Sequence, residues 1–240
     1  MSLRVVIPMA GTGSRFCERG YRTPKPFIEF AGRMMIEHVL EGLSIPGAEP
    51  ILIIRREFET HHRDELDRVA QRYAVSFVTV DRVTQGAACT ALAARRRIDD
   101  ASPVLFADSD NVFDAHDIEA FVNDARTRSL DASLLTVHSD RPSFSYARLD
   151  ERGLVCETRE KQVISSHAIA GAYYFAHGVD FVDAAVDMLI YGDRQHGEYY
   201  MSQAFNGLVA KAKSVGIHEI PADRFRCVGT PEQLEACSDA

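Results

Sequence analysis

Short apolar runs alternate with stretches of helical spacing through the first 140 residues. The runs predict strands at 4–8, 50–54, 75–80, 103–107 and 132–138, each too short for a helix of ordinary length. Between them, Met35, Ile36, Val39, Leu40 and Leu43 fall on one stripe of a helix predicted over 34–43. Leu66, Val69, Ala70 and Tyr73 do the same over 64–73, and Ile118, Phe121, Val122 and Ala125 over 117–127. The segment 85–97 passes from Gly86 through small residues into Arg95-Arg96-Arg97, and a basic run suits a helix C-terminus. This alternation predicts an α/β fold with a mainly parallel central sheet and helices on both faces. Ligands of such sheets lie outside the carboxyl ends of the strands. The loop after Pro8 and the acidic stretch after Ala107 both fall there.

The second half changes character. Strands at 145–149 and 154–158 flank Asp150-Glu151-Arg152-Gly153, a good hairpin turn. A third apolar segment covers 168–175, and helices are predicted over 181–189 and 198–211. Short strands follow at 217–220 and 225–228. A last helix, 231–237, carries Pro231 in its first turn. These elements predict a small β-rich substrate extension of the same domain. One domain is therefore expected over 1–240. Its expected parts are residues 1–140 and residues 141–240.

An apolar share of 46% is ample for a sizeable core. The net charge of -8 speaks against a nucleic-acid binder, which would show a basic face. A small nucleotide needs only a local cluster of cations. The five cysteines, Cys17, Cys89, Cys156, Cys227 and Cys237, form no CxxC pair. Reduced thiols in a cytoplasm are expected. No signal-peptide pattern or membrane-spanning run is seen, so no membrane partner is expected. No pattern in the chain speaks to oligomeric state.

The candidate chemistry starts at the first strand. Val5-Val6-Ile7-Pro8 runs into Met9-Ala10-Gly11-Thr12-Gly13-Ser14-Arg15-Phe16, followed by Pro24-Lys25-Pro26. Gly11 and Gly13 let backbone approach a ligand and take positive φ. Arg15 and Lys25 place positive charge where a triphosphate would lie, and Arg15 suits a forked contact to the β- and γ-phosphates. Backbone near Ala10, Gly11 and Gly86 is expected to read the base. A Rossmann dinucleotide fingerprint fits poorly, because Phe16 stands at its third glycine and the second strand runs into Arg55-Arg56. A P-loop is excluded, because Gly-Lys-Ser/Thr is absent. Asp108 and Asp110 bracket Ser109 just past a buried strand, a pattern suited to Mg²⁺. The plainer reading of that pair is a turn in which Asp caps its own backbone.

These motifs, in this order, resemble the nucleotidylyltransferases that activate sugar phosphates, also called sugar-nucleotide pyrophosphorylases. Gln85-Gly86-Ala87-Ala88 resembles their glycine-alanine segment beside the nucleobase. Val104–Ala107 with Asp108-Ser109-Asp110-Asn111 resembles their strand ending in Gly-Asp-Asn, with Ser109 in place of glycine. Glu160-Lys161 and Ala170-Gly171-Ala172-Tyr173-Tyr174-Phe175 resemble their Glu-Lys pair and the strand after it. Gly197-Glu198-Tyr199 and Gly229-Thr230-Pro231-Glu232 resemble their closing motifs. The resemblance implies a Rossmann-like nucleotide-diphospho-sugar transferase fold and Mg²⁺-dependent transfer from a nucleoside triphosphate to a phosphorylated small molecule. CTP or UTP is favoured over a purine by the compact length.

The same resemblance implies the residue roles. Lys25 reaches the α- or β-phosphate, Lys161 neutralises the incoming monoester, and Glu160 accepts from an acceptor hydroxyl. Gln85 and Gly86 lie at the nucleotide and Gly171 at the acceptor. Asp110 is the better match to the family's metal-binding aspartate, with Asp108 beside it. The chain departs from the pattern at Cys227, where the family commonly has a second aspartate, and a thiol is a poor Mg²⁺ ligand. Two alternatives stand beside this reading. One is a nucleotide-sugar-dependent glycosyltransferase using the acidic pair at 108–110. The other is a non-catalytic nucleotide sensor, suggested by Cys227.

Overall fold

The structure is a computed structural model describing residues 2–238. Met1, Asp239 and Ala240, which belong to the expected 1–240 domain, lie outside the described residues. The strands of the central sheet are β1 (Arg4–Pro8), β2 (Glu49–Arg55), β3 (Ser76–Val80), β4 (Val104–Ala107), β5 (Ala132–His138), β6 (Tyr146–Leu149), β7 (Val155–Arg159), β8 (His167–Phe175) and β9 (Val215–Ile220). They run in the order β7-β6-β8-β4-β1-β2-β3, with β5 along the second edge of β8 and β9 outside β5. The pairs β1–β2, β1–β4, β2–β3 and β5–β9 are parallel. Strand β8 is antiparallel to β4, β5 and β6, and β7 is antiparallel to β6. Among the described strands of this sheet, only β7 and β8 therefore oppose the common direction.

Alternation along the buried strands splits the core into two layers. Val5, Ile7, Leu52, Ile54 and Leu105 face one layer; Val6, Ile51, Ile53, Val104 and Phe106 face the other. The first layer is covered by helices Met35–Gly42, Arg63–Tyr73 and Ala115–Thr127. The second is covered by Gly178–Tyr191 and Met201–Ala210. Each fully buried Ile or Phe in these layers stabilises the fold by about 1.5–3 kcal/mol. The expected helices on both faces are thus present, and the sheet's carboxyl rim is left for loops.

Three departures from sequence expectation bear on that rim. The segment predicted as one helix over 85–97 is broken into Ala87–Ala91, a 3-10 turn Leu92–Ala94 and Arg95–Ile98. The helix predicted from 198 begins at Met201 after an extended N-cap, Tyr200, because Tyr199 is held against the glycine loop. Its N–H donates to Gln85 O at 2.8 Å, and Ala88 N–H donates back to Tyr199 O at 3.2 Å. Phe225–Cys227 pairs with Asn111–Phe113, a strand the periodicity did not show, in a small antiparallel ladder outside the central sheet. That ladder delivers the Gly229-Thr230 turn to Asp110, whose carbonyl accepts from Val228 N–H at 2.8 Å.

Candidate active site

A cleft of about 560 Å³ opens over the carboxyl ends of β1 and β4. Its floor on the β1 side is the backbone of Ala10, Gly11 and Gly13, with Arg15 and Lys25 at the wall. Gly13 caps the short helix Ser14–Glu18 at φ +63, and a Cβ there would lie 3.0 Å from Lys25 Cβ. The missing side chain lets the two segments touch. Lys25 opens a 3-10 turn, Lys25–Phe27, between Pro24 and buried Pro26. Arg15 is exposed and makes no ion pair among the described residues.

Gly86 lines the second wall at φ +122. A Cβ on it would stand 2.4 Å from Tyr199 O, so only glycine fits this close approach of two loops. Gln85 is exposed and not part of the cleft lining; its carbonyl, rather than its side chain, ties down Tyr199. Thr84 and Thr90, which sequence reasoning missed, also line this wall, their hydroxyl oxygens 2.5 Å apart. Small polar residues beside a glycine carry no periodic signal that would have marked them.

From the second half of the chain come Glu160 and Lys161, at the end of β7. Glu160 is buried and accepts from the hydroxyls of Ser145 and Ser202, the latter at 3.3 Å. Lys161 sits at φ +52, a conformation that costs a side-chain-bearing residue about 1–2 kcal/mol. Its ammonium donates to Tyr200 Oη at 3.1 Å and lies 5.2 Å over that ring. The structure thus brings Arg15 and Lys25, from the amino-terminal segment, and Lys161, more than 130 residues further on, to one cleft.

Asp108, Asp110 and Asn111 form the floor at the end of β4. Asp110 is ion-paired with the Lys25 ammonium. Among the described residues Asp108 has only neutral side-chain donors, Asn111 Nδ2 at 3.4 Å and Tyr173 Oη at 3.5 Å. Burial, with the charges of Asp110 and Glu160 added, pushes its carboxyl up to about 8. Burial likewise raises the Tyr173 hydroxyl well above its ordinary value. Gly171 does not line the cleft but lies beneath this floor, at a register break in β8, with φ +83. A Cβ on it would sit 2.1 Å from Asn111 Nδ2 and 2.5 Å from Asp108 Oδ2. Its own carbonyl accepts from Asp108 N–H at 2.9 Å.

The donor set fits a hard divalent ion. Two carboxylates within three residues supply oxygen ligands, and Mg²⁺ fills the rest of its shell from phosphates and water. Among the described residues no group of three or more His, Cys, Asp and Glu is arranged to hold a metal alone. Cys227 lines the cleft beside Asp110, but burial first, then the Asp110 charge, pushes its thiol up to about 11. A thiol is also a poor ligand for Mg²⁺, and this one donates to Gln233 Oε1 at 3.5 Å.

Cleft and sheet together define an α/β fold with a polar cleft at the carboxyl rim of its central strands. Residues 4–215 match the nucleotidyl transferase family, and the chain belongs to it. It is 26% identical over 181 residues to the catalytic subunit beta of mannose-1-phosphate guanylyltransferase from Drosophila pseudoobscura pseudoobscura. That match covers 72% of this chain and 47% of the relative, so the chain spans about half the relative's length. The nucleoside-diphosphate-sugar pyrophosphorylase from Vibrio cholerae RC9 has a similar structure, with a TM-score of 0.85, 22% identity, and coverage of 98% of this chain and 100% of that one. The inositol-1-phosphate CTP transferase from T. maritima matches with a TM-score of 0.74 and 15% identity, over 96% and 90% of the two chains. At such identities the likeness is one of fold. No helix among the described residues is long and apolar enough to cross a membrane.

Proposed function

We propose that this enzyme joins a nucleoside triphosphate to a phosphorylated acceptor, giving a nucleoside-diphosphate conjugate and pyrophosphate. An acceptor phosphate oxygen attacks the α-phosphorus, the bond from that phosphorus to the β-phosphate bridge breaks, and pyrophosphate leaves. Two polyanions must meet, so the catalytic task is mostly positioning and charge stabilisation. The observation that carries the reading is the convergence of Arg15, Lys25 and Lys161 on one cleft. Arg15 grips the β- and γ-phosphates, Lys25 the α- or β-phosphate, and Lys161 the acceptor monoester. Ala10, Gly11, Gly13 and Gly86 present backbone to the nucleotide, and Gln85 holds that wall closed through its carbonyl. Glu160 accepts from an acceptor hydroxyl. Gly171 serves the acceptor side indirectly, by leaving room for Asp108 and Asn111. Asp110 and Asp108 would hold Mg²⁺, which supplies further neutralisation of the phosphates.

The acceptor is a sugar 1-phosphate or a related monoester, and the triphosphate is CTP or UTP. The conjugate serves cell-surface polysaccharide synthesis in the cytoplasm, where the free cysteines stay reduced. The test is a pyrophosphate-release screen of four triphosphates against a panel of phosphate monoesters with Mg²⁺. Release with one pyrimidine triphosphate and a sugar phosphate is expected. Silence across the panel from folded protein sinks the reading, and triphosphate binding without turnover favours the nucleotide sensor instead.

A further inference from the structure

We propose that Lys25 is a placeholder for the divalent cation: before nucleotide arrives its ammonium occupies Asp110, and a triphosphate must draw it away before the metal loads. The inference rests on the reading above in one respect, that the metal belongs at Asp110.

Lys25 and Asp110 lie 85 residues apart in sequence, on the 3-10 turn after the glycine loop and on the loop after β4. Their side chains are 19% and 23% exposed, so water solvates the pair poorly and each charge depends on the other. The aspartate has little freedom to turn away. Val228 N–H holds its carbonyl, and a Cβ on Gly229 would stand 2.6 Å from the same Oδ2 that Lys25 grips. The thiol of Cys227, next to it, donates to Gln233 Oε1 at 3.5 Å. Asp108, the other carboxylate of the floor, is held by neutral donors only. Among the described residues Lys25 is therefore the one cation in ion-pair contact with either carboxylate.

A dication at that oxygen would sit against the ammonium, and like charges in a poorly hydrated site repel strongly. Lys25 and the metal thus exclude each other until a polyanion stands between them. The triphosphate is that polyanion. It takes the ammonium, uncovers Asp110 and attracts the metal, so nucleotide and metal each strengthen the binding of the other.

The test uses the whole chain without nucleotide and Mn²⁺ as the metal probe, read by electron paramagnetic resonance and calorimetry. Wild type should bind Mn²⁺ weakly, Lys25→Gln at least tenfold more tightly, and Lys25→Arg as weakly as wild type. Equal Mn²⁺ affinity in wild type and Lys25→Gln overturns the proposal, and so does tight binding by Lys25→Arg. Where Lys25→Gln fails to fold, Asp110→Asn with inorganic tripolyphosphate in EDTA decides. Freeing the ammonium should tighten that binding at least threefold over wild type. Adding Lys25→Gln, which leaves no unpaired charge and so preserves folding, should erase the gain. No gain in Asp110→Asn, or a gain that persists in the double variant, overturns the proposal. None of these measurements needs turnover. A protein inactive in every pyrophosphate-release assay but showing the Mn²⁺ gain keeps this inference and loses the assigned reaction.

Discussion

At the amino end of the sheet, Arg4 donates to both oxygens of Asp100 at 2.8 Å, and Ser102 N–H adds a third bond at 2.8 Å. At the carboxyl end, Asp108 has, among the described residues, nothing better than neutral side-chain donors at 3.4 and 3.5 Å. The hydrogen bonds from Arg4 and Ser102 hold the Asp100 carboxyl well below the usual carboxylate range, whereas burial raises Asp108 to about 8. The helix pair behind the amino end follows the same rule as Asp100. Fully buried Glu37 accepts from Arg68 and from Met34 N–H. Glu41 is held down, against the cost of its burial, by hydrogen bonds from Arg33 and Tyr73, and Tyr73 itself is pushed up to about 12. A charge with a saturated partner stabilises the fold by itself. A carboxylate crowded by others and backed by neutral donors is stable only once a ligand supplies charge, which is how functional sites trade stability for chemistry.

The most severe way to break the contrast is at Lys25. Lys25→Ala should lower turnover by about 100-fold or more, measured by pyrophosphate exchange, because its contact strengthens as charge builds on the leaving group. An unchanged rate removes Lys25 from the reaction. Gly171→Ala comes next. At φ +83, with its Cβ 2.1 Å from Asn111 Nδ2, it should cost about 2–4 kcal/mol in denaturant unfolding. Gly153→Ala, at φ +74 with nothing within 4 Å, should cost about 1–2 kcal/mol from backbone strain alone. Equal costs would show that the floor beneath Asp108 yields freely.

Asp108→Asn sharpens the comparison through pH. The folded carboxyl lies near 8, above its ordinary 3.8, so the folded metal-free protein binds the proton more tightly than the unfolded chain. That contribution is fully present below 3.8 and lost as pH rises through about 8. The melting temperature of wild type should therefore fall between pH 5 and pH 8 more steeply than that of Asp108→Asn. Parallel profiles would refute the assignment. Asp100→Asn is the smallest change, about 0.5–1 kcal/mol at neutral pH, since the carboxylate is half exposed and screened. Its sign is opposite: the stabilisation is present above 3.8 and lost as pH falls below it. Melting curves at pH 7 and pH 3 should show the variant's deficit shrinking in acid.

Much of this was legible in local pattern. The five strands that the central sheet takes from the first 140 residues lie within a residue or so of the apolar runs that predict them, because short apolar runs bounded by turns have few alternatives. The cations beside glycine and proline were legible because those residues mark backbone that must take a special path. What escaped depends on partners far along the chain. Tyr199 stays outside the helix because Gln85 and Ala88 offer it hydrogen bonds, although its own neighbours read as helix. Asn111–Phe113 is a strand because Phe225–Cys227 lies beside it. Tyr173 and Asn111 gained their roles only when β8 passed under Asp108.

Periodicity and turn residues in the chain alone determined the layered α/β architecture and the rim at which a phosphate ligand would be met, since both follow from interactions between near neighbours. The tertiary structure decided which charges face each other. The ion pair of Lys25 with Asp110, the isolation of Asp108, and the removal of Gln85 and Gly171 from the cleft surface are all set by contacts across tens of residues. Electrostatic energy depends on distance and burial, and neither is written in the order of the residues.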